Sequence, residues 1–187
     1  MNKDKIFIKN YLEEYKKILL ERDDEEIIAF KNAIKETIDS KGKLFFIGNG
    51  ASASLSSHAA TDFTKQAKIE AHSFNDHNLI TALSNDYGYE NWVAKAIELY
   101  VKPNDRVIFI SVSGNSPNLI NGLKYAKKAK ISTASLTGSD SDNYLKSNSD
   151  FSLWVNSYAY NIVESIHTML ITLIIDLFIG KSLYSVS

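Results

Sequence analysis

Cysteine is absent from this 187-residue chain, which removes disulfides and thiolate metal sites and fits a reducing compartment. Proline occurs twice and glycine eight times. Neither is concentrated in any stretch, so nothing marks a linker and residues 1–187 are expected to form one domain. Charge of neither sign dominates: 21 Lys and Arg against 22 Asp and Glu leave a net −1. That balance argues against nucleic acid or a membrane surface as partner. Long apolar runs are missing too. The opening Met1-Asn2-Lys3-Asp4-Lys5 leads into mixed polar sequence, and the most apolar segment, 169–179, is short for a bilayer span and contains Asp176. No signal peptide or membrane span is therefore expected, and the protein is expected in the cytoplasm. Segment 169–179 reads as a buried core or subunit-contact helix. With 44% hydrophobic and 23% charged residues, the composition is that of a globular domain with a real core.

Two nucleotide signatures are lacking as well. The turn beginning at Gly48 has Ala53 where a full Gly-x-Gly-x-x-Gly would need its third glycine, and no Gly-Lys-Ser/Thr occurs. A dinucleotide site and a nucleoside-triphosphate loop are both excluded on those grounds.

What is present is an alternating pattern. Residues 3–40 show apolar positions at helical spacing on both sides of Arg22-Asp23-Asp24, predicting two helices as an N-terminal extension; the acidic run 21–26 reads as a helix start and solvated face. From Gly42 onward, short apolar runs predict strands at 43–47, 69–74, 106–111, 131–136 and 150–155. Helices are predicted at 53–67, 77–84, 90–100, 117–129, 141–147 and 159–179. Continuous apolar strands such as Val107-Ile108-Phe109-Ile110 imply burial on both faces. The expected class is α/β, a parallel sheet flanked by helices.

Two strand ends carry serine-rich turns: Gly48-Asn49-Gly50-Ala51-Ser52 and Ser111-Val112-Ser113-Gly114-Asn115-Ser116. Small hydroxyls and free amides at a helix start form an anion site. The hydroxyls of Ser52, Ser111, Ser113, Ser116 and Thr137 would cradle a phosphate; the other reading makes these serines helix caps only. His58 and Asp62, four apart, share a helix face and could serve as acid, base or metal ligands, or simply be a solvated face. Glu164, His167, Thr168 and Thr172 draw a polar stripe on an apolar helix. Glu164 there is either functional or a wet first-turn acid. Asn85-Asp86-Tyr87-Gly88-Tyr89 reads as a turn whose side chains could bond sugar hydroxyls. His72 and His77 receive no role, and Pro117 is a helix-opening residue.

Both turns, the stretch Ser57-His58-Ala59-Ala60-Thr61-Asp62, Ser84-Asn85-Asp86-Tyr87-Gly88, Leu136-Thr137-Gly138 and the helix at Val163-Glu164-Ser165-Ile166-His167 occur in the order found in SIS (sugar isomerase) domain proteins. The chain resembles, among these, the phosphoheptose isomerase group, which interconverts sedoheptulose 7-phosphate and manno-heptose 7-phosphate for bacterial surface polysaccharides. The likeness covers nearly the whole chain. It implies a flavodoxin-like sheet, a single SIS domain whose residues 1–40 are the helical extension, and a homotetramer with sites at subunit boundaries. It also implies a phosphorylated sugar as substrate. Asn49, Gly50, Ala51, Ser52, Ser111, Val112, Ser113 and Ser116 would bind it, with Asn85 and Asp86 meeting the sugar.

Aldose–ketose isomerisation needs an acid/base pair, and Asp62 and Glu164 are assigned to it, with His58 orienting one of them or binding a metal. His58, Asp62 and Glu164 would be the ligands if zinc is bound. Three departures accompany the resemblance. Asp62 stands where the family usually has glutamate and reaches about 1.5 Å less far. Glu164 stands at a glutamine position. Thr172, or Ile171 in a register one residue away, stands where the family has a second catalytic histidine; His167 lies about one and a half turns earlier. The alternatives are a phosphosugar-binding protein without turnover and an isomerase for a different phosphosugar.

Overall fold

The computed structural model describes residues 2–183. In chain order these form α1 (Lys3–Glu21), α2 (Asp24–Asp39), β1 (Leu44–Gly48), α3 (Ala51–Lys65), β2 (Ala71–Ser73), α4 (His77–Tyr87) and α5 (Trp92–Tyr100). There follow β3 (Arg106–Ser111), α6 (Pro117–Lys128), β4 (Ser132–Thr137), α7 (Tyr144–Asn148), β5 (Phe151–Trp154) and α8 (Tyr160–Ile179). Every expected strand and helix is present. The differences are at their ends: α7 starts three residues later than expected, at Tyr144, and α4 runs to Tyr87, so that Asn85 and Asp86 lie in its last turn, not in a loop. Gly88 ends it with φ 85°, and its amide still donates to Ser84 O at 3.0 Å.

All five strands are parallel, in the order β2-β1-β3-β4-β5. This is the flavodoxin-like order, which reverses direction between β1 and β3 and opens a crevice at their carboxyl ends. The apolar strands bury both faces by alternation. Leu44, Phe46, Ile108 and Ile110 belong to one core layer with α2, α3 and α8. Phe45, Ile47, Val107 and Phe109 belong to the other with α5 and α6.

Helix α8 is long and apolar enough to cross a membrane by length and composition, a longer window than 169–179. Here it lays Ile162, Val163, Ile166, Leu170, Ile171 and Ile174 into the first core layer. Helix α1 is different. It buries none of its residues and leaves Phe7 (68%), Leu12 (60%) and Leu20 (72%) exposed. Tyr11, Tyr15, Ile18 and Leu19 pack partly against the core, and Glu14 accepts from Ser157 Oγ at 3.3 Å.

At the opposite end of the sheet from the crevice, Arg106 is buried. Its Nε donates to Thr37 Oγ1 (2.9 Å), a terminal nitrogen donates to Thr133 O (3.4 Å), and the guanidinium lies 5.3 Å from the Phe151 ring centroid. Burial lowers its pKa. These contacts tie α2 to β3, β4 and β5.

Candidate functional site

The crevice between β1 and β3 is where the two serine turns meet. Gly48, paired with Ile110 across the sheet, cannot be larger: a Cβ there would sit 2.7 Å from Ser52 and 2.8 Å from Ile110 O. The first turn is thereby pressed against β3. Gly50 then takes φ 55° and ψ −125° as N-cap of α3, with no side-chain cap, a conformation that only glycine adopts cheaply. The amides of Gly50 and Ala51 have no hydrogen-bond acceptor among the described residues.

The serines are not spent as helix caps. Ser116 occupies the N-cap of α6 yet makes no capping bond. Ser111 Oγ accepts from Gly114 N–H (3.1 Å) and Ser113 Oγ from Asn115 N–H (3.3 Å), bonds that shape the second turn itself. A hydroxyl accepting one such bond keeps its own proton for an occupant. Asn49, Gly50, Ala51 and Ser52 from one turn face Ser111, Val112, Ser113 and Ser116 from the other across a cleft of about 290 Å³. Thr137 is not part of it. That residue is fully buried, and its hydroxyl accepts from Asn143 Nδ2 at 3.3 Å.

Glu164, half-buried in the second turn of α8, lines the same cleft. It also lines an adjoining cleft of about 480 Å³, together with Ser52, His58, Asn161, Ser165 and Thr168. The two clefts share Ala51, Ser52 and Glu164. Residues 161, 164, 165 and 168 follow i, i+3, i+4, i+7 spacing, a polar stripe that sequence reasoning caught at Glu164 and Thr168 and missed at Asn161.

His58 and Asp62 meet as their spacing predicts, with Nε2 2.8 Å from Oδ2. Only His58 lines the larger cleft; Asp62 stands behind it, its side chain 17% exposed against 53% for the histidine. Asn85 and Asp86 line neither cleft. They are exposed on α4 and bond to each other at 2.9 Å. Thr172 also lines neither, because its hydroxyl donates back to Thr168 O and Met169 O of its own helix. No three His, Cys, Asp or Glu side chains converge on a metal position among the described residues. Of the three residues His58, Asp62 and Glu164, the first two bond to each other, and only His58 and Glu164 line the larger cleft.

His167 is fully buried on α8, with Nε2 3.1 Å from Thr137 O. Its Nδ1 has no partner among the described residues, and burial pushes its pKa down to about 4. The ring borders the larger cleft as a neutral group.

The family model of the SIS domain matches residues 8–138, beginning inside α1. The chain is 38% identical over 147 residues to a protein named phosphoheptose isomerase from Helicobacter pylori, covering 75% of this chain and 76% of that one. It is 35% identical over 172 residues to a probable phosphoheptose isomerase of Thermoplasma acidophilum, covering 89% and 94%. The solved structure of phosphoheptose isomerase from Neisseria gonorrhoeae superposes with a TM-score of 0.84 at 25% identity, covering 93% of this chain and 98% of that one.

Proposed function

This chain belongs to the SIS domain family, and on that premise we propose that it is a phosphosugar isomerase acting on sedoheptulose 7-phosphate. The product would be the manno-heptose 7-phosphate aldose. The observation that carries the reading is the shared cleft, in which eight turn residues and Glu164 converge at the sheet's switch point. Free amides, hydroxyls and the α3 dipole suit a phosphate dianion without any arginine. The carboxylate of Glu164 then stands between the phosphate end and the larger cleft where the carbonyl end would lie.

Aldose–ketose exchange removes a proton from the carbon beside the carbonyl, forms an enediol and returns the proton to the neighbouring carbon. A second group passes protons between the two oxygens. In this reading Glu164 takes and returns the carbon-bound proton. His58, facing the cleft, serves the oxygens, and Asp62 orients its ring. Asp62 would then work through His58, in place of forming the acid/base pair with Glu164. No step is assigned to a metal.

The reading extends to a role in surface polysaccharide synthesis, a cytoplasmic location and a homotetramer. The exposed apolar side chains of α1 support the last. One observation favours binding without turnover: no histidine stands at 172.

The test is proton exchange in deuterated solvent, followed by NMR with sedoheptulose 7-phosphate, with and without added zinc. Each acid–base group contributes about 10²–10⁴-fold, so Glu164→Gln is expected to lose at least about 100-fold in exchange rate. Asp62→Asn is expected to lose less, because it acts at one remove. Thermal stabilisation by the sugar phosphate with no exchange in the unsubstituted protein would establish the binding module instead.

A further inference from the structure

Asn49 is gripped by two side chains that neither turn contributes. Its Oδ1 accepts from Asn118 Nδ2 (2.9 Å) and from the Tyr89 hydroxyl (3.2 Å), and its Nδ2 donates to Asn118 Oδ1 (3.0 Å). An amide oxygen has two lone pairs and an amide nitrogen two hydrogens. The acceptor capacity of Asn49 is therefore spent, and one N–H remains for an occupant of the serine-lined cleft that Asn49 borders.

The two gripping residues come from separate parts of the fold. Asn118 is 2% exposed in the first turn of α6, directly after the second serine turn, so the reciprocal amide pair bolts one turn to the other. Tyr89 lies in the connection between α4 and α5, which is itself anchored. Asn91 Nδ2 donates to Tyr87 O (3.0 Å), and Asn121 Nδ2 from α6 donates to Glu90 O (3.0 Å). The phenol adds a third bond to the reciprocal amide pair and ties the α4–α5 connection to the first turn.

We propose that Tyr89 and Asn118 are positioning residues that hold the Asn49 amide in place at the cleft, where it bonds an oxygen of the phosphosugar. This rests on the phosphosugar reading above. Neither residue needs to touch the sugar; both act through Asn49.

The experiment is a double-mutant cycle on the full chain, titrating sedoheptulose 7-phosphate and, separately, inorganic phosphate by calorimetry. Losing one orienting hydrogen bond is expected to weaken sugar-phosphate binding about 3- to 10-fold in Tyr89→Phe. In an Asn49→Ala background the same substitution is expected to change Kd less than about twofold, because nothing is left to orient. Asn118→Ala should show the same dependence on Asn49. Tyr89→Phe, exposed and near isosteric, keeps the test open should the buried Asn118→Ala fail to fold. Equal losses with and without Asn49, or no loss in Tyr89→Phe, would overturn the inference while leaving the phosphosugar reading intact. If the unsubstituted protein binds neither probe, that reading falls and takes this one with it.

Discussion

His167 makes the stability of this protein depend on pH in a way that one substitution isolates. The ring is fully buried, its Nε2 faces the Thr137 carbonyl, and its Nδ1 faces no acceptor among the described residues. The proton therefore sits on Nε2, and adding a second would bury a cation with an unpaired N–H. Burial carries the pKa from 6.5 down to about 4. Above pH 6.5 the ring is neutral both folded and unfolded, and stability does not depend on it. As pH falls from 6.5 towards 4 the unfolded chain takes up the proton and the folded one does not, so stability is lost across that window and levels off below it. At 1.36 kcal/mol per pH unit the full loss is about 3 kcal/mol, of which about 2 kcal/mol has gone by pH 5.

That is a large share of the 5–15 kcal/mol that holds a typical domain. His167→Gln keeps an N–H for Thr137 O and cannot titrate in this range. Urea unfolding of both proteins at pH 7 and pH 5 gives the comparison, in which repacking costs and the titration of every other group cancel. The original protein is expected to lose about 2 kcal/mol more than the variant. Parallel losses would refute the reasoning, since they would mean that the folded ring accepts its second proton as readily as the unfolded one.

Other perturbations probe other parts of the argument. Gly50→Ala meets no atom within 4 Å but must hold φ 55°; a cost of about 1–3 kcal/mol in unfolding, with weakened phosphate binding by calorimetry, is expected from conformation alone. Neither effect would mean that the first turn has another backbone. Arg106→Ala empties the space between Thr37, Thr133 and Phe151 and is expected to cost about 2–4 kcal/mol. Arg106→Met, which keeps an apolar stem there, should cost clearly less by urea titration, and equal costs would show that the guanidinium bonds carry the whole effect. Deleting residues 1–22 removes a helix that buries none of its own residues. The expected result is a smaller assembly by sedimentation, and an unchanged mass would remove α1 from the subunit contact.

The fold was legible because its signals are local. Apolar runs bounded by turn residues marked all five strands, and the break at Arg22-Asp23-Asp24 appears as the N-cap of α2 at Asp23. Helix α4 outran its expected end because Ser84-Asn85-Asp86 contains turn-forming residues but no helix breaker before Gly88. Strand β2 shortened to three residues at the sheet's edge, where only β1 pairs with it. In the site, the turns and the His58 and Asp62 pair were readable from spacing of a few residues. The grip on Asn49 was not: Tyr89 and Asn118 stand 40 and 69 positions away, and only the folded sheet joins them. The bond of His167 to the Thr137 carbonyl likewise joins residues thirty positions apart.

Because Ala51, Ser52 and Glu164 wall both clefts, the two form one trough whose ends are a set distance apart. For an occupant tethered by its phosphate as proposed, the trough behaves as a gauge. The number of carbons between tether and carboxylate would decide which carbon is presented for deprotonation, whatever the hydroxyl configuration in between. Chain length and stereochemistry would then be read by different parts of the protein, and shifting one wall would retune the first without disturbing the second.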